Sequence, residues 1–175
     1  MTRRQLATIM AKRGESNAAH PEVYSCQFPA MIDDWRSKFY SSSLQTTDKL
    51  FPFGFVQLAG YRDNATVSGF PPLRWAKTAN KGQVPNSREH NVFMSVAMDL
   101  PDFNSPFGSI HPRMKHDIAA RLVLSALAVA YKQTDVSFQG RFPTKYTPNH
   151  QDKSLEIEYD HGTSPLDVRN STGFE

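Results

Sequence analysis

The chain has 175 residues and a mass of 19.8 kDa, enough for one ordinary domain with a real core. Hydrophobic residues make up 39% and charged residues 21%, with 12 Phe, 6 Tyr and 2 Trp, which excludes a disordered tail and argues for a soluble globular protein. The net charge is +3, but Lys and Arg are scattered; the densest group (Arg3, Arg4, Lys12, Arg13) is terminal and broken by apolar residues, so no nucleic-acid partner is expected.

In chain order, MTRRQLATIMAKRG carries charge but no apolar core, so it does not read as a signal peptide. Gly14-Glu15-Ser16-Asn17 follows as a loop before a helix. From Pro21 to Tyr40, Phe28, Met31, Ile32, Trp35 and Phe39 recur at three- and four-residue steps, the period of an amphipathic helix. Pro29 is best placed in its first turn, with Asp33 and Asp34 early in the helix, where the dipole favours negative charge. Cys26 is the sole cysteine, which excludes an internal disulfide and a cysteine-based zinc site. Phe51 to Ala59 is short, apolar and aromatic, as a buried strand would be. Residues 60–91 are rich in Gly, Pro, Asn and Arg and read as a long functional loop, interrupted by a short helix around Pro72–Ala79.

Val92 to Met98 is the clearest strand, with Asp99 at its C-terminal end, followed by the irregular stretch DLPDFNSPFGSIHPR. Met114 to Tyr131 reads as a strong helix, Met114, Ile118, Leu122 and Val129 lining one side. Its apolar run is too short to span a bilayer, so no membrane partner is expected. Strand, loop and helix in repetition argue for an α/β layered fold with parallel strands. From Val136 the pattern becomes short alternating runs, SLEIEYD and LDVRN, expected to be antiparallel strands of a second, incomplete β unit. Residues 1–135 and 136–175 are therefore read as two parts.

Ligands of parallel sheets bind beyond the carboxyl ends of the strands, where Asp99 and the loop to His111 would lie. A carboxylate beside an imidazole can fix its tautomer while the ring takes a nucleophile's proton; a lone loop His is more often a surface or capping residue. Gly14 and Asn17 can offer a backbone N–H and a side-chain amide to an oxyanion, although Asn and Ser are also common helix caps. GESN is not a Gly-x-Ser-x-Gly elbow, which makes Ser16 a poor nucleophile. Arg74-Trp75 can hold a carboxylate through the guanidinium fork or pack as a stacked pair. His20, His90, His116, His150 and His161 lack metal-ligand spacing, so neither a metal nor any other cofactor is expected.

RGESN (13–17), FPAMIDDWR (28–36), FPFGFVQL (51–58), GFPPLRW (69–75), VFMSVAMDL (92–100) and SPFGSIHPR (105–113) together resemble the sialate O-acetylesterases, closely over 14–143 and more loosely over 155–175. These are SGNH-type hydrolases, so the resemblance implies part of a three-layer α/β/α sandwich followed by an incomplete antiparallel β segment. It implies hydrolysis of O-acetyl esters of sialic acids through an acetyl-enzyme, without a metal. It further implies that Gly14 and Asn17 form the oxyanion block and that His111 is the catalytic histidine. Arg74 is then expected to meet the sugar carboxylate. O-acetylated sialic acid or a sialoglycoconjugate is the expected partner, and a lysosomal or secreted location is implied for the full-length protein. The sequons at Asn64 and Asn170 agree with that location.

Three departures accompany the resemblance. In the family, the serine and oxyanion-glycine blocks lie upstream of the block matching Gly14, and the residues before Gly14 here are dissimilar. Arg13 stands where a Gln usually precedes that Gly. Gly108 stands three residues before His111, where many SGNH enzymes carry Asp, leaving Asp99, Asp102 or no carboxylate to serve the histidine; Asp99, at the strand end, is favoured. The expectation is a chain without the nucleophile, with a sheet edge and an apolar face open to association. A non-catalytic sialic-acid-binding or interaction module is the alternative.

Overall fold

The fold, seen in a computed structural model, is described for residues 14–61, 69–109 and 111–159. A 3₁₀ turn at Glu15–Asn17 leads to α1 (Pro21–Ser42), then β1 (Phe53–Gln57), α2 (Phe70–Ala76), β2 (Val92–Val96) and α3 (His116–Val129). An antiparallel hairpin, β3 (Pro143–Asn149) and β4 (Ser154–Tyr159), completes the described chain.

β1 and β2 pair in parallel, Phe53 beside Val92 through Gln57 beside Val96. Side chains alternate across a strand, so each strand feeds two cores. On one face Phe53, Phe55 and Val92 pack with Tyr24, Phe28 and Ile32 of α1 and with Phe70, Leu73 and Ala76 of α2. On the other, Phe93 meets Leu122 and Val129 of α3, and Val56 meets Ile118. Helices therefore cover both faces, giving the expected α/β/α layering. Phe28 sits edge-on to Phe55 with centroids 5.1 Å apart, an arrangement the ring quadrupoles favour. Gly54 lies across from Phe93, whose ring occupies the space a Cβ would need.

Side chains from α3, from α2 and from Lys77 just after it cap carbonyls along both outer edges of the sheet. Phe53 N donates to Asn91 O and Ala97 N to Gln57 O, so the carbonyls of even-numbered residues point away from the partner strand. On β2, Met94 O accepts from Ser125 Oγ at 2.8 Å and Val96 O from Arg121 Nη1 at 2.7 Å. On the β1 side, Val56 O accepts from Lys77 Nζ at 2.8 Å and Leu58 O from Arg74 Nε at 2.9 Å.

Three elements differ from expectation. The helix after β2 begins at His116, so Met114, expected on its buried side, precedes it and is 67% exposed. The first helix begins at Pro21, and Pro29 is buried inside it. Pro21 fills the first-turn position where a missing N–H costs nothing; the packing of Phe28, Ile32 and Tyr24 carries the helix through Pro29. β4 covers most of SLEIEYD, but its partner is Pro143–Asn149, whose two prolines and full exposure conceal it from a hydrophobic pattern. LDVRN lies outside the described residues.

Candidate active site

Because β1 and β2 are parallel, the loops after both leave from one end of the sheet. Tyr61, in the segment after β1, stacks on Phe70 at the start of α2, centroids 5.2 Å apart. Gly69, the residue before α2, lies so close to the Ala18 carbonyl that a Cβ there would overlap it. The 14–17 turn is thus joined to the start of α2, and through Phe70 to Tyr61. Tyr61 O in turn accepts from Ser109 Oγ in the loop after β2. This run of contacts links the 14–17 turn, through the start of α2 and Tyr61, to the loop that carries His111.

Within the turn, Asn17 N donates to Gly14 O at 2.7 Å. Gly14 has φ 143°, in the region that favours glycine, and its Cα packs beside the Tyr24 phenol. Burial, reinforced by the Glu15 charge, pushes that phenol up to about 12, so Tyr24 stays neutral. Asn17 is partly exposed.

His111 is exposed, and its backbone is fixed at both polar groups. Its N–H donates to Gly108 O at 2.8 Å, and its C=O accepts from Ser105 Oγ at 2.7 Å. Gly108 takes φ 94°, which lets the chain turn back toward the histidine. At the base of the loop, Asp102 accepts from Arg113 N, Nε and Nη2 at 3.2, 2.8 and 3.1 Å. Asp99 accepts from Arg121 Nη1 and Nη2, both at 2.7 Å. Hydrogen bonds from these guanidinium groups hold both carboxyls below the ordinary carboxylate range. Both oxygens of Asp99 and of Asp102 are thus engaged by arginines, and neither carboxylate is bonded to the His111 ring.

Arg74, expected to face a sugar carboxylate, directs its guanidinium at backbone instead. It is 7% exposed, with Nε on Leu58 O and Nη2 on Ala59 O at 3.3 Å. Among the described residues, no three His, Cys, Asp or Glu side chains gather as a metal site. Sequence reading also missed Arg113 and Arg121, which hold the rim, and Lys77, buried against the Phe28 and Phe55 rings. For Arg113 the signal was adjacency to His111-Pro112; Arg121 and Lys77 gave none, because a helical Arg or Lys reads as solvated surface.

A parallel sheet between helices, followed by a loop that carries a histidine, is the layering of the α/β/α hydrolase class. By sequence, this stretch of chain is homologous to the sialate O-acetylesterases. It is 49% identical to the sialate O-acetylesterase of Mus musculus over 157 residues and 48% identical to that of Homo sapiens over 142. Those matches cover 89% and 80% of this chain but only 29% and 27% of the relatives. A crystal structure of a carbohydrate acetylesterase from Xanthomonas citri superposes with a TM-score of 0.62 at 27% identity, covering 84% of this chain and 30% of that one. No family model matches the chain.

Proposed function

We propose that this chain forms the histidine side of a sialate O-acetylesterase active site, whose reaction removes O-acetyl groups, foremost at the 9-position, from sialic acids. His111 takes the proton of a serine hydroxyl as that oxygen attacks the acetyl carbonyl. The oxyanion faces the Gly14 N–H and the Asn17 amide. Collapse breaks the bond to the sugar oxygen, which takes the proton from His111 and leaves as the hydroxyl, and water then releases acetate from the acyl-serine. Two carboxylates committed to arginines leave the histidine to work without a directly bonded acid; Asp99, paired with Arg121, serves only to hold the rim.

The observation that carries this reading is the homology of the chain to acetylesterases, supported by the doubly fastened His111 backbone and by the contacts that link its loop to the 14–17 turn. In the family, the nucleophile precedes the block that Gly14 matches, and residues 1–13 contain no serine. By the same reading, the full-length protein acts in the lysosome or outside the cell.

Intact-mass analysis after treatment with a fluorophosphonate, run beside hydrolysis of a 9-O-acetyl sialoside, tests the division of labour. No adduct and no acetate release are expected. A single adduct that disappears in His111→Ala would show that the nucleophile lies within these residues.

A further inference from the structure

α3 is apolar on two opposite sides. Ile118, Leu122, Ser125 and Val129 are buried against the sheet. At about 3.6 residues per turn, Ala120, Val123, Leu124 and Leu127 fall on the far side, continued by Tyr131 just past the helix end. Val123, Leu124 and Tyr131 are 57%, 42% and 56% exposed. From Ile118 to Tyr131 the one charged side chain is that of Arg121, and it is turned to Asp99 and the Val96 carbonyl. A helix that is hydrophobic all round is ordinarily a buried one, and a contiguous apolar stripe on the outside marks an interaction surface. We propose that this stripe is where two copies of the chain pair, α3 against α3 in opposite directions about a two-fold axis beside Leu124. The inference stands apart from the esterase reading and draws on none of its residues.

Charge and spacing favour a second copy as the occupant. A two-fold contact sets one surface patch against itself, so any charge within it would meet its own sign. This stripe carries none. Ala120, Leu124, Leu127 and Tyr131 recur at four-, three- and four-residue steps, the spacing at which the side chains of one helix drop between those of another. An opposed alignment centred on Leu124 sets the small Ala120 of each copy across from Leu127 of the other, large against small.

The charges at the ends of the stripe fix the direction. Asp117 lies in the first turn of α3 and Lys132 just beyond its last, both exposed. Opposed helices bring Asp117 of each copy to the Lys132 end of the other, whereas parallel ones would set the two Asp117 carboxylates together. Asp117 Oδ1 lies 3.3 Å from His116 Nδ1, and its Oδ2 accepts no hydrogen bond from the described residues. A seam of about 20 Å, at 1.5 Å per residue, covers less than the roughly 1,200 Å² at which standard interfaces begin. The pair is therefore expected to form and separate reversibly with concentration.

Sedimentation equilibrium of the 175-residue chain over a wide range of concentration tests the pairing. Monomer should give way to dimer and to nothing larger, because a two-fold contact closes on itself. Leu124→Glu should weaken association by about a hundredfold or more, since two carboxylates would be buried against each other. Val123→Glu should weaken it too, and both variants should keep the circular dichroism of the unaltered chain, because neither side chain is buried within one copy. Disulfide trapping in a Cys26→Ser background reads the direction. Leu124→Cys should cross-link two copies, whereas Ala120→Cys, about 12 Å from its counterpart along opposed helices, should not. A chain that stays monomeric, grows into larger species, or dimerises regardless of both glutamate variants overturns the inference. Cross-linking through Ala120→Cys overturns the opposed arrangement.

Discussion

Glu89 offers the sharpest quantitative test of the packing described above. Its side chain is 2% exposed, its Oε2 accepts from Asn86 Nδ2 at 3.3 Å, and its Oε1 is buried without a partner. Burial pushes the carboxyl from an ordinary 4.5 up to about 7, against the opposing pull of Asn86 and of Arg88 and Arg36. Between those two values the folded state holds more of the proton than the unfolded state does. Stability therefore falls as pH rises through this window, and the loss is complete above pH 7. At about 1.4 kcal/mol per pH unit, the full effect is roughly 3 kcal/mol. Gln in place of Glu89 keeps the shape and an acceptor and stays neutral throughout. Urea unfolding of both proteins at pH 4.5, 6 and 8 should show near-equal stability at the lowest pH and a growing advantage for Glu89→Gln above it. Parallel profiles would show that Glu89 reaches water, and would refute the burial argument.

Lys77 acts in the opposite direction. It is fully buried, and desolvation lowers its ammonium to about 8. The folded state thus holds less of this proton than the unfolded one between pH 8 and 10.5, so unfolding free energy should rise with pH there by up to roughly 3 kcal/mol. Lys77→Met should remove that rise in urea titrations. Gly69→Ala should force the Ala18 carbonyl away from α2, costing about 1–3 kcal/mol and shifting the amide signals of Gly14 to Asn17. Arg121→Ala should cost about 1 kcal/mol, because its ion pair is exposed and only its bond to Val96 O closes the strand edge.

The layering was legible in the sequence because its signals are large and periodic. Ile118, Leu122 and Val129 fall on one helical face, and all three are buried against the sheet. The block around Val92–Val96 is apolar and short, and it forms the strand expected. Pro29 misled because steric rules assign proline to helix starts, while the burial of Phe28 and Ile32 outweighs that preference here. Arg74 misled for a related reason. A guanidinium on a loop-rich stretch looks available, and only the three-dimensional course of β1 reveals that the Leu58 and Ala59 carbonyls lie within its reach. The commitment of Asp99 to Arg121 was hidden likewise, since 22 positions separate the partners in the chain.

If the Gly14–Asn17 turn and His111 form two sides of one acetyl-binding site, as proposed, one titration reads both. The isotope-labelled chain is titrated with a 9-O-acetyl sialoside while the Asn17 side-chain amide and the His111 ring are followed together. Both signals should move along a single binding curve, and the de-O-acetylated sugar should move the Asn17 amide much less. Movement of His111 with an unresponsive Asn17, at saturation, would contradict the account.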